Sequence, residues 1–360
     1  MTQDLRQLMD DALRLTRAGD LRAATAAITS ALGGAGAEVV AGFSATAAAA
    51  SRAFDADGAI DVESREVHDA PPTGAPARPA AATDVFIAGR HAEAGSARDY
   101  KLYIPPQAGS HPLPLVVMLH GCTQDPDDFA AGTAMNGLAR AQGFYVLYPA
   151  QSQQMNPQRC WNWFKHTHQR RGRGEPALLA GMARAVMAAH AIDSARVYVA
   201  GLSAGGAMAA ILGTTYPELF AAVGVHSGLA AGAASDLPSA LGAMQGGSMA
   251  APGAPSGMPT IVFHGDADST VNAVNGEQVI AASVGRGAAE QVLPVGGSAG
   301  RTATRRVYRA PDGRVLAEHW RVHGAPHAWS GGRAAGSYTD PRGPDASAEM
   351  LRFFLEHPHR

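Results

Sequence analysis

A serine hydroxyl becomes a useful nucleophile only when the backbone lifts it clear of its surroundings and a base lies within reach. Gly201-Leu202-Ser203-Ala204-Gly205 matches G-x-S-x-G, whose flanking glycines permit a strained strand-to-helix turn beneath the hydroxyl. In a chain with 42 glycines this pattern is weak by itself, and a second match stands at Gly296-Gly297-Ser298-Ala299-Gly300. Context separates the two. Ser203 follows the apolar run Arg196–Ala200 and precedes a helical stretch, whereas Ser298 follows Pro294-Val295 and leads into Arg301-Thr302. Ser203 is therefore the expected nucleophile and Ser298 a loop serine.

Such a serine needs an imidazole to take its proton, and the imidazole needs an acid to fix its tautomer. Around this kind of turn the chain order is Ser, acid, His. The acid belongs on a loop after a later strand. Thr260–Phe263 reads as that strand, followed by His264-Gly265-Asp266-Ala267-Asp268-Ser269-Thr270-Val271. Asp266 and Asp268 both qualify, and spacing does not choose between them. Five histidines follow. His319 lies mid-strand, His323 at a strand end, and His357 and His359 near the C-terminus. His327 lies in Gly324-Ala325-Pro326-His327-Ala328-Trp329, a loop directly after the last strand, where a general base belongs.

The developing oxyanion needs two backbone N–H donors, one from the residue after the nucleophile and one from a loop after an early strand. Ala204 fills the first place. Leu115–Leu119 ends in His120-Gly121-Cys122-Thr123-Gln124, which puts Cys122 in the second. The other cysteine is Cys160; two cysteines make neither a disulfide scaffold nor a zinc pattern, and they can be one bridge or two thiols. Trp161, Trp163 and Trp329 flank these segments as candidates for an apolar substrate wall, with core packing as the competing role.

The elements that must hold these residues alternate. Asp99–Ile104, Leu115–Leu119, Phe144–Leu147, Arg196–Ala200, Ala221–Val225 and Thr260–Phe263 read as strands; Ala130–Ala141, Ala177–Ala191, Ala204–Thr215 and Asn272–Val284 read as helices between them. That order signals a mostly parallel sheet flanked by helices. Arg306–Tyr308 and Val315–Val322 read as a hairpin closed by Pro311-Asp312-Gly313, and Asp345–Leu355 as a last helix. Ahead of all this, residues 1–32 read as a helical hairpin and 33–82 as an Ala/Gly/Pro-rich linker, which leaves 83–360 as the catalytic domain. The long, small-residue-rich stretch Ala230–Met258 is a candidate lid or else a disordered insertion with no role.

Composition removes other classes. With 29 basic against 31 acidic residues and no long basic run, there is no electrostatic footprint for nucleic acid. No run approaches the roughly 20 apolar residues of a membrane helix. The charged start, Met1-Thr2-Gln3-Asp4 with Arg6 and Asp10, shows no export signal, so the sequence by itself reads as cytoplasmic. Nothing calls for a metal or cofactor.

Taken together the motifs resemble the poly(3-hydroxybutyrate) depolymerase-like esterases, a family close to feruloyl and acetyl xylan esterases, and the chain looks like a bacterial member. The resemblance rests on LHGCTQ (119–124), AGTAMNGLA (131–139), GFYVLYP (143–149), RCWNWF (159–164), GLSAGG (201–206), HGDADSTV (264–271) and GAPHAW (324–329), which span most of 97–330. It implies an α/β-hydrolase fold and serine ester hydrolysis, with Ser203 as nucleophile and His327 as base. It assigns the acid to Asp268 and makes Asp266 a neighbour. It also implies a Cys122–Cys160 bridge, and it describes a family that is commonly extracellular. Hydroxybutyrate, feruloyl and acetyl xylan esters are the substrates it suggests. Two rival classes remain, a non-catalytic binding protein and a peptidase or acyltransferase on the same fold, since fold alone does not set function.

Overall fold

The computed structural model describes residues 84–93, 95–249, 254–284, 288–296 and 300–359. The expected N-terminal hairpin and linker, and Ser298, lie outside the described residues. Those that are described belong to one compact unit, Ala77–Arg360.

Among the described residues ten strands form one sheet, in the order β1-β2-β4-β3-β5-β6-β7-β10-β9-β8. They are β1 (Val85–Glu93), β2 (Ser96–Ile104), β3 (Leu113–Leu119), β4 (Tyr145–Pro149), β5 (Ile192–Leu202), β6 (Ala222–His226), β7 (Thr260–Gly265), β8 (Ala289–Val295), β9 (Ala303–Arg309) and β10 (Val315–Val322). The centre, from β4 through β3, β5, β6 and β7 to β10, is parallel. Antiparallel pairs, β1 with β2 and β8 with β9, finish the two edges. The helices are α1 (Pro126–Thr133), α2 (Met135–Gln142), α3 (Gly174–Ala189), α4 (Ala204–Thr215), α5 (Leu237–Gly246), α6 (Val274–Val284) and α7 (Ala346–Leu355).

Every residue of β3, β4, β6 and β7 is buried, as a parallel sheet covered on both faces demands. Alternation along β3 divides the core. Leu115, Val117 and Leu119 join the cluster that holds Leu179 and Ala207 of α3 and α4; Val116 and Met118 join the one that holds Met135 and Phe353 of α2 and α7. This is the α/β-hydrolase architecture, with all parallel strands ending at one edge of the sheet.

One local reading changes. The helix expected over Ala130–Ala141 is two helices, because Ala134 takes a left-handed conformation with φ 53°. The carbonyls of Gly132 and Thr133 are taken instead by the Arg333 N–H (2.8 Å) and the Ser347 hydroxyl (2.7 Å). The candidate lid carries α5, capped by Asp236 and Ser239. It is tied down where Gln169 donates to the Ala234 carbonyl (2.5 Å) and Asn275 to that of Ala243 (2.9 Å). Residues 250–253 of that stretch lie outside the described residues. No helix among the described residues is long and apolar enough to cross a membrane.

Candidate active site

Ser203 sits between the end of β5 and the start of α4 with φ 57° and ψ −119°, a conformation that costs an L-residue energy and persists only where the surroundings enforce it. The surroundings are tight. A Cβ at Gly201 would lie 2.4 Å from the Gly205 carbonyl group, and one at Gly205 would lie 2.0 Å from the Leu119 carbonyl oxygen. Both glycines of the motif are thus required by close approach. The Ser203 N–H donates to the His226 carbonyl at 2.9 Å, which fixes the turn against the end of β6.

Asp268 and His327 leave the ends of β7 and β10, neighbours in the same parallel sheet. His327 Nδ1 donates to Asp268 Oδ2 at 2.7 Å. The other carboxylate oxygen accepts the N–H groups of Thr270 (2.9 Å) and Val271 (2.8 Å). Burial works against the ionised carboxylate, but the hydrogen bond and charge of His327 and the loop N–H groups outweigh it, so the Asp268 pKa lies below its ordinary value. Asp266 does something else: it accepts from His323 Nδ1 (2.8 Å) and the Gly324 N–H (2.6 Å), pinning the start of the His327 loop. Asp268 thus pairs with His327, and Asp266 with His323. Among the described residues the Ser203 hydroxyl makes no hydrogen bond.

Cys122 lies on the loop after β3, which runs beside β5. Cys122 and Cys160 are joined by a disulfide. The loop is held from several sides. The Gly121 N–H donates to Gln124 Oε1 (2.9 Å), and the Thr123 N–H to the Gln158 carbonyl (2.6 Å). His120 accepts the Gln151 N–H on Nε2 (3.1 Å), so its proton is on Nδ1 and donates to the Gly121 carbonyl (2.8 Å). Burial lowers the His120 pKa to about 4 and keeps it neutral. Behind the disulfide, the buried Glu175 accepts from the Asn162 N–H and side chain (2.7 Å each) and from Gln151 (2.5 Å).

Of the two roles open to the three tryptophans, substrate wall or core packing, their burial favours the second. Trp161, Trp163 and Trp329 are all buried, with relative exposures of 0%, 5% and 1%. Trp161 donates to the His120 carbonyl and Trp329 to Ser347, so their indole N–H groups are used inside the core. His226 and Glu175 escaped the sequence reading. The signal for His226 was a histidine closing a wholly apolar strand; Glu175 had none, because only the fold brings its partners together.

A family model described as Esterase PHB depolymerase matches residues 98–287. The chain belongs to the Esterase PHB depolymerase family. The matched span includes Cys122, Ser203 and Asp268 and ends before His327. Within the family's reach, the chain is 33% identical over 227 residues to poly(3-hydroxyalkanoate) depolymerase C of Paucimonas lemoignei, covering 59% of this chain and 54% of that one. It is 34% identical over 140 residues to feruloyl esterase B of Thermothelomyces thermophilus, covering 39% and 47%. The chain spans about half the length of the curated relatives it matches. A solved acetyl xylan esterase from Aspergillus awamori shares the fold at a TM-score of 0.57 and 21% identity, over 72% of this chain and 94% of that one.

Proposed function

We propose that this chain is a serine carboxylic-ester hydrolase acting through an acyl-enzyme. The observation that carries the proposal is the strained Ser203 at the sheet edge where the closed Asp268–His327 pair also stands. Ser203 attacks the ester carbonyl as His327 Nε2 takes its proton. Asp268 keeps the His327 proton on Nδ1 and stabilises the imidazolium that forms. The N–H groups of Cys122 and Ala204 receive the oxyanion; each such donor contributes roughly 3 kcal/mol of transition-state stabilisation. His327 then protonates the leaving alcohol. Water, losing its proton to His327, attacks the acyl carbonyl and releases the acid and Ser203. No step calls on a metal or cofactor.

The 227-residue similarity to a poly(3-hydroxyalkanoate) depolymerase supports hydroxyalkanoate oligomers or polymer as the substrate class. Feruloyl and acetyl xylan esters are the second reading, supported by the shorter similarity to a feruloyl esterase. Ser203→Ala should abolish hydrolysis of p-nitrophenyl butyrate while Ser298→Ala leaves it intact; full activity in Ser203→Ala would remove the nucleophile. A parallel assay on hydroxybutyrate oligomers, methyl ferulate and acetylated xylan then decides the substrate.

A further inference from the structure

Strand β6 ends at His226, and this residue touches both halves of the site. Its main-chain carbonyl accepts the Ser203 N–H at 2.9 Å. Its ring Nε2 accepts the N–H of Ser330, three residues beyond His327, also at 2.9 Å. The ring proton is therefore on Nδ1, which faces Ser227 Oγ at 3.2 Å. The ring stacks on Trp329 and Phe263, with centroids 5.0 and 5.8 Å away, and is 1% exposed. The bond to Ser330 spans 104 residues of sequence, so no local turn requires it. Any residue supplies a carbonyl, and a phenylalanine would supply the stack. Only an unprotonated ring nitrogen adds an acceptor for the Ser330 N–H within that stack. Burial, reinforced by His264 and His327, pushes the imidazole down to about 3, so it stays neutral when His327 becomes charged.

We propose that His226 is a positioning residue that sets the Ser203 turn and the His327 loop in one register, its main chain holding the first and its imidazole the second. The proposal rests on the roles given above to Ser203 and His327. It concerns the geometry of proton transfer rather than substrate affinity, so the loss on substitution falls on kcat.

Two variants separate acceptor from packing. His226→Phe keeps the stack and loses the acceptor; His226→Gln offers an amide oxygen in its place. Parent and variants are treated with a fluorophosphonate across pH 5–9, and the adduct is mapped by peptide mass spectrometry. Values of kcat and KM on p-nitrophenyl butyrate and melting temperatures are measured alongside. The expected result is labelling at Ser203, with the labelling rate and kcat of His226→Phe lower by on the order of 100-fold, as small misplacements of reacting groups produce. KM stays within about twofold, the rising limb of the pH–rate profile moves, and His226→Gln recovers about tenfold of the loss. Equal labelling rates in the parent and His226→Phe across the pH range would overturn the proposal and leave Ser203 standing. An adduct elsewhere in the parent would overturn the nucleophile and the proposal together. Equal losses in both variants, in step with lowered melting temperatures, would make His226 a packing residue only and overturn it as well.

Discussion

The carboxylate of Asp268, wholly buried, meets Nδ1 of His327 at 2.7 Å. Two residues earlier, the part-exposed Asp266 makes a similar contact to His323 at 2.8 Å. The two pairs differ in burial and in what they hold. Asp268→Asn keeps the side-chain volume but removes the charge that sets the His327 tautomer, and kcat should fall by roughly 10³- to 10⁴-fold. Asp266→Asn weakens a solvent-screened tether worth about 1 kcal/mol or less, so kcat should stay within about fivefold. Steady-state kinetics on p-nitrophenyl butyrate compares them, and equal losses would undo the distinction.

The Cys122–Cys160 bridge closes a separation of 38 residues. On the entropic account such a closure contributes about 4 kcal/mol by constraining the unfolded chain. Cys160→Ser should lower the urea midpoint accordingly, and reduction of the parent protein should do the same. The effect on kcat should be smaller, about tenfold at most against the roughly 100-fold of a lost oxyanion donor. The reason is that Gln124 and Gln158 still hold Gly121 and Thr123 by hydrogen bonds. A reduced protein with an unchanged urea midpoint would contradict the stabilising role.

Glu318 is a fully buried carboxylate on β10, the strand that leads to the His327 loop. Arg305 grips it with two hydrogen bonds (2.6 and 3.0 Å), Arg352 of α7 adds one at 2.7 Å, and Trp320 another at 3.1 Å. Removing one partner of a buried ion pair typically costs 3–5 kcal/mol. Both arginines keep some exposure and can be rehydrated, so Glu318→Gln should cost about 3 kcal/mol, at the low end of that range. Urea titration of this variant measures it, and a cost near zero would mean that the cluster is dispensable.

Much of this site was legible because its parts sit at the ends of strongly apolar strands. Leu115–Leu119, Arg196–Ala200 and Thr260–Phe263 read clearly as buried strands, and the loops after them carry Cys122, Ser203 and Asp268. What was hidden depends on pairing across the sheet. The edge strands β1 and β8 are largely exposed and lack a clean alternation. Helix α5 turns Leu237 and Leu241 outward and buries Ala240 and Ala243, which inverts the usual amphipathic signal. His226 shows no local sign that it will meet a residue 104 positions away. The tryptophans could not be placed from sequence because aromatic residues suit a binding wall and a core equally well. The open Ser203 hydroxyl is consistent with catalytic hydrogen bonds that tighten only when substrate is bound.

Acid should weaken this protein through its histidines before its carboxylates. Burial lowers the pKa of His120 to about 4 and of His226 and His319 to about 3, and it lowers that of His264 as well. Their unfolded values lie near 6.5. Above that pH both states are neutral and these groups contribute nothing to the pH dependence. As pH falls below it, the unfolded chain binds protons that the folded protein refuses. Each such histidine then removes up to about 1.4 kcal/mol of stability per pH unit, until the pH reaches its folded value. The lowered carboxylates Asp268, Glu175 and Glu318 behave differently: their stabilising contribution is present above their unfolded pKa of about 4 and is lost only below it. The urea midpoint should therefore change little between pH 8 and 7 and fall steeply from pH 6.5 to about 5, before the carboxylates begin to contribute. Protons should be taken up on unfolding at pH 5.5, measurable by unfolding in a weakly buffered solution with a pH indicator. A midpoint that held level down to pH 5 would mean that the folded protein protonates these histidines freely, against the burial that surrounds them.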